Sequence, residues 1–134
     1  RTAYRHVDPP VADEAYLAAT LHFAQRAADE TVQEDIRDLL VRRRESQPIG
    51  EWSCGSVFTN PPGEHAAKLI DRAGLKGLRI GGACVSEKHA NFILNDGAAS
   101  AADLERLIAT VQETVERRFG IRLVPEVRVI GEAA

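Results

Sequence analysis

The sequence has 134 residues and a formal net charge of -3, with 44% hydrophobic and 28% charged residues. That is the make-up of a single globular domain able to bury a core without cross-links. There is no basic excess of the kind nucleic-acid binding needs, no apolar run near the roughly 20 residues of a membrane span, and no signal-peptide pattern at the start.

Residues 1–15, which include Pro9 and Pro10, have little periodicity and read as linker-like. Residues 18–25 alternate through Leu21 and Phe23, which predicts a half-buried strand. Thr31 and Glu34 have capping-box spacing, and Val32, Ile36, Leu39 and Leu40 follow at helical spacing. Arg42, Arg43 and Arg44 then stand where cations complement a helix C-terminus. The expected helix covers about 31–45 and is closed by Gln47-Pro48. Residues 53–60 read as a turn into a short strand, Pro61-Pro62-Gly63 as a turn, and 64–73 as a short helix ended by Gly74. Two short strands are expected at 78–86 and 89–95, followed by an Asn95-Asp96-Gly97 turn. The clearest element is a helix over 100–119. Ser100 and Asp103 have capping-box spacing, Leu104, Leu107, Ile108, Val111 and Val115 make one stripe, and Gly120 ends it. Residues 121–130 alternate as a strand interrupted by Pro125, hence an edge or bulged strand. Mixed elements with short connections predict a two-layer α+β fold, a small mixed or antiparallel sheet packed against helices.

Common chemical signatures are missing. There is no GxxxxGK[ST] loop, Gly77, Gly81 and Gly82 do not make GxGxxG, and no HExxH or cysteine–histidine spacing points to a metal. His6, His22, His65 and His89 are scattered and read as surface or hydrogen-bonded side chains. Cys54 and Cys84 form no CxxC pair and read as small buried apolar residues in a reduced, cytosolic setting. A hydrolase could be assembled from Cys54 or Ser56 with His65 or His89 and Asp96, but Gly55-Ser56-Val57 lacks the GxSxG elbow. The chain opens on Arg1 and has no Met, which reads as a fragment of a longer protein.

Four blocks are more specific together than any one motif: GSVFTNPPG (55–63), AAKLIDRAGLKG (66–77), IGGACVSEKHANFILN (80–95) and LVPEVRVIG (123–131). In order and spacing over about 44–131 they resemble the UDP-N-acetylenolpyruvoylglucosamine reductase (MurB) family. The resemblance implies a C-terminal substrate-binding domain over 26–134, preceded at 1–25 by a linker or the tail of an upstream flavin domain. The wording of the blocks is similar to the form lacking an extra substrate-covering loop. The activity it implies is reduction of UDP-N-acetylglucosamine enolpyruvate to UDP-N-acetylmuramate, for peptidoglycan, in a bacterial cytoplasm. NADPH would be the hydride donor and FAD the carrier, the FAD held mainly by upstream flavin-binding domains of the same protein.

That reaction needs a polarising group at the substrate carboxylate and a positioned acid. By the resemblance, Ser56 matches the proton donor, and Glu126 matches the glutamate that works with an arginine at the carboxylate. Tyr4-Arg5 resembles the family's Tyr-Arg pair, whose arginine contacts the developing enolate. Asn60 matches an asparagine at the substrate diphosphate, while Thr59 stands where many relatives carry a basic residue. Arg44 resembles an R-x-x-x-P block ending at Pro48 and reads equally as a helix-end cation. Lys88, His89 and Asn91 fall in the block nearest the expected nucleotide pocket. Two other classes stay open: an inert UDP-sugar-binding module and an unrelated hydrolase.

Overall fold

The computed structural model describes residues 2–4, 6–7, 11, 17–22 and 30–131. The chain divides into two compact units, Arg1–Gln33 and Glu34–Ala134. In the first, β1 (Thr2–Ala3) pairs antiparallel with β2 (His6–Val7). The strand expected over 18–25 is not found: residues 17–22 have no regular structure, and 23–25 lie outside the described residues.

Helix α1 runs Glu30–Ser46, so Thr31 lies inside its first turn. Its helical spacing is as expected, but the stripe does not enter a core: Ile36, Leu39 and Leu40 are each half or more exposed. Ser46 closes the helix by donating from its hydroxyl to the Arg42 carbonyl at 2.8 Å.

The second unit is built on a four-stranded sheet: β3 (Ser53–Ser56), β4 (Arg79–Ile80), β5 (Ala83–Val85) and β6 (Phe92–Asn95). The order is β3-β6-β5-β4 and every pairing is antiparallel. Helices α2 (Ala66–Arg72) and α3 (Ala101–Phe119) complete it, α3 packing on β4, β5 and α2. Phe58, Leu69, Ile70, Val85, Leu107 and Val111 are among the residues of one continuous core. The architecture is the α+β fold that the sequence predicts.

Helix α3 matches its sequence expectation at both ends. The Ser100 hydroxyl accepts from the Asp103 amide at 3.1 Å, and the Ser100 amide donates to the Asp103 carboxylate at 3.0 Å. The Ser100 amide first, then the Ser100 hydroxyl and the Arg106 guanidinium, hold the Asp103 carboxyl below the usual carboxylate range. Gly120 takes the left-handed conformation beyond the last turn.

Two stretches differ from expectation. The strand expected over 78–86 is a hairpin: Ile80 pairs with Ala83, leaving Gly81-Gly82 as the connection. Two-residue hairpin connections favour glycine, and Gly81 has φ 55°. At Gly82 the reason is space, since an added Cβ would meet the Ala99 backbone nitrogen and lie 2.6 Å from the Ala98 carbonyl carbon. The turn is thus pressed against the approach to α3. The strand expected over 121–130 reduces to a single bridge between Phe58 and Pro125. Proline has no N–H to continue a ladder, so only its neighbours bond across: Thr59 donates to the Val124 carbonyl at 2.9 Å and Glu126 to the Val57 carbonyl at 2.8 Å.

Candidate functional site

Ser56 sits at the end of an irregular strand. Ser53 pairs with Leu94 and Ser56 with Phe92, so β3 carries one residue more than β6 between those pairs. Gly55 absorbs the extra residue at φ 82°, a conformation that only glycine adopts without strain. A bulge of this kind bends the strand and re-aims the side chain that follows. Here it brings Ser56 to a cavity of about 400 Å3 lined by Cys54, Ser56, Glu126, Val127 and Arg128. Glu126 reaches the same cavity from the far end of the domain, drawn in by its amide bond to Val57. The cavity is therefore lined by a serine, a glutamate and an arginine, the last two exposed.

A second, more apolar cavity of about 300 Å3 shares Cys54, Val127 and Arg128 with the first and continues to Leu104 and Ile108 on α3. Sequence reasoning did not assign Arg128 to the site. The available signal was its place in the LVPEVRVIG block, two residues after Glu126. Cys84 is buried as expected, but Cys54 is exposed. Desolvation against the cavity wall raises the Cys54 thiol above its ordinary value, partly offset by a backbone hydrogen bond. A raised thiol is a poor nucleophile at neutral pH. Of the other groups named for the hydrolase arrangement, Asp96 pairs with Arg79 at 3.0 Å, and His89 Nδ1 accepts from the Asn91 amide.

Asn60 accepts from the Ala66 amide at 3.0 Å and so anchors the start of α2 to the end of the Ser56 segment. Asn91 is only 4% exposed, and its amide bonds both polar groups of Phe58. The Lys88 ammonium donates to the Arg44 carbonyl at 2.9 Å, tying its loop to the C-terminal end of α1. The Arg44 side chain is exposed. Tyr4, in the first unit, is exposed, and Arg5 lies outside the described residues. Among the described residues no three His, Cys, Asp or Glu side chains converge as a metal site, and no helix is long and apolar enough to cross a membrane.

His89 gives a pH dependence. Its Nδ1 accepts from the Asn91 amide at 3.3 Å and its ring meets Phe92 edge-on, with centroids 4.8 Å apart. Burial lowers its pKa from 6.5, and the Lys76 charge adds to this, against an opposing backbone hydrogen bond. The folded state therefore disfavours the imidazolium. The stability this contributes is present above about pH 6.5 and is lost as pH falls through the folded-state pKa below it. Urea midpoints measured across that range should fall on acidification, and the fall should be smaller in His89→Gln. An equal fall in both proteins would remove His89 as its source.

Residues 47–130 match the family model described as the UDP-N-acetylenolpyruvoylglucosamine reductase C-terminal domain. A curated protein of that name from Alkalilimnicola ehrlichii is 56% identical over 133 residues, covering 99% of this chain and 44% of the relative. Another from Coxiella burnetii (strain Dugway 5J108-111) is 62% identical over 98 residues, covering 73% of this chain and 31% of the relative. The crystal structure of UDP-N-acetylenolpyruvylglucosamine reductase (MurB) from Thermus caldophilus aligns with TM-score 0.60 at 40% identity, over 70% of this chain and 33% of that one. The chain spans less than half the length of these relatives. With the family model covering most of its length, the chain belongs to the UDP-N-acetylenolpyruvoylglucosamine reductase family and corresponds to its C-terminal domain.

Proposed function

We propose that this domain is the substrate-binding, proton-delivering part of a reductase that converts UDP-N-acetylglucosamine enolpyruvate to UDP-N-acetylmuramate for peptidoglycan, in a bacterial cytoplasm. The observation that carries the reading is the cavity shared by Ser56 and Glu126 in a member of this family. Its size suits the small acid end of a substrate. It does not suit a flavin dinucleotide, and the described residues offer no glycine-rich phosphate cradle. In this reading the flavin is held by upstream domains of a longer protein, where NADPH-reduced FAD supplies the hydride.

The residues of this chain act on the other half of the reaction. Once a hydride has reached the vinyl CH2 carbon, the electron pair of the double bond is left on the neighbouring carbon and delocalised into its carboxylate. Glu126, with Arg5, stabilises that charge, Glu126 as a protonated hydrogen-bond donor beside the substrate carboxylate. The Ser56 hydroxyl delivers its proton to the carbon, completing the lactyl ether, and is reprotonated from solvent. Asn60, Arg44, Lys88, His89 and Tyr4 are the candidates for holding the UDP-sugar.

The test is turnover of the full-length reductase in D2O with NADPH and the enolpyruvyl substrate. The expected product has one solvent deuterium on the ether-bearing carbon, the methyl group taking its new hydrogen from the reduced flavin. A protein that binds UDP-sugar and forms no such product would be an inert binding module instead.

A further inference from the structure

Asn91 makes three hydrogen bonds to one short segment. Its carbonyl accepts from the Val57 amide at 2.9 Å, its Oδ1 from the Phe58 amide at 3.0 Å, and its Nδ2 donates to the Phe58 carbonyl at 2.8 Å. The Phe58 peptide groups are thus held from both sides by one side chain, at the point where β3 leaves its bulge. The same segment carries Ser56 immediately before it and receives Glu126 through the Val57 carbonyl at 2.8 Å. Asn91 is itself fixed: its amide donates to His89 Nδ1, and the buried Ser86 hydroxyl accepts from the amides of Lys88 and His89.

We infer that Asn91 is a positioning residue that sets Ser56 and Glu126 relative to each other by clamping Val57 and Phe58. It acts on proton delivery without touching substrate. The amide is buried and directed at the backbone, and no aliphatic or carboxylate side chain reproduces both of its bonds at neutral pH. A small misplacement of an acid from its acceptor is costly in the chemical step and not in binding. This inference rests on the proposed reaction.

The experiment compares wild-type, Asn91→Ala and Asn91→Asp forms of the full-length reductase. In Asn91→Ala, kcat for the enolpyruvyl substrate should fall by about 10- to 100-fold, with KM within about twofold and flavin reduction by NADPH unchanged. Asn91→Asp keeps the acceptor for the Phe58 amide but faces the Phe58 carbonyl with an oxygen that has no proton. Protonation restores the donor, so its kcat relative to wild type should rise as pH falls. The pH comparison is made in a His89→Gln background, which removes the titration of His89, the titratable group bonded to Asn91. Should Asn91→Ala fail to fold, the Asn91→Asp profile decides. A raised KM at unchanged kcat would mean direct substrate contact and overturn the inference, as would a pH-independent Asn91→Asp ratio.

Inactivity of the wild-type protein would count against the proposed reaction instead. Amide exchange would then read the clamp alone. Selective loss of protection at Phe58 and Glu126 in Asn91→Ala supports it, and unchanged protection overturns it.

Discussion

Replacing Ser56 by alanine in the full-length reductase should leave reduction of the flavin by NADPH intact and slow consumption of the enolpyruvyl substrate by about 10²–10⁴-fold, the range expected for loss of a positioned acid. A serine hydroxyl is a weak acid in water. It becomes competent only against a strongly basic carbanion, in a site that holds the group in place and limits exchange with bulk water. Ser56 meets the first of these: it is half-buried, its backbone is fixed by pairing with Phe92, and it lines a cavity with Glu126 and Arg128, both of them exposed. The two half-reactions can be followed separately by flavin absorbance in a stopped-flow instrument, bleaching with NADPH and recovering with substrate. Recovery at the wild-type rate in Ser56→Ala would show that another group delivers the proton.

The second large effect is expected on stability. Phe58 is 2% exposed, and its neighbours in the core come from both helices and the sheet. Phe58→Ala should cost about 3–5 kcal/mol, because the removed ring loses its burial and the site around it relaxes only in part. A cost of that size is a large share of the stability of an ordinary domain. Urea unfolding of this chain measures it. A loss under about 1 kcal/mol would mean that the space refills and that Phe58 is not the keystone of this layer. The backbone of Phe58 bridges Pro125, so the same substitution should also loosen the approach of Glu126.

Helix α3 was legible from sequence because local signals agree there: a capping box, a stripe of 3.6-residue period and a terminal glycine all describe one element. The hairpin at Gly81-Gly82 was not, because glycines inside an apolar run look the same whether the strand continues or turns back. What decides it is the close approach of Gly82 to Ala98 and Ala99, a tertiary contact. The segment over 121–130 has the alternation of a strand, yet a ladder also needs amide donors, and Pro125 removes one at its centre. Helix α1 shows the opposite limit. Its spacing identifies a helix, and nothing in that spacing says what lies against Ile36 or Leu39.

The site divides in the same way. Ser56 and Glu126 were named from motif blocks, and they do share a cavity. Arg128 was passed over because a single arginine after an ordinary strand pattern carries no signal by itself. Asn91 falls in the block nearest the expected nucleotide pocket, and the structure adds that its amide bonds the Phe58 backbone. A side chain's identity is visible in sequence, but its direction depends on which backbone groups the fold leaves without partners.

The way Glu126 reaches the site also has a temporal meaning. A ribosome releases this chain from the N-terminal side, so Ser56, the bulge and the whole sheet emerge before the segment that carries Glu126. Until that segment lies along Val57 and Thr59, Glu126 is not at the Ser56 cavity. A nascent or C-terminally clipped domain can therefore hold a folded sheet while lacking Glu126, and on the proposed reaction such a domain would carry its proton donor without the group that stabilises the developing charge.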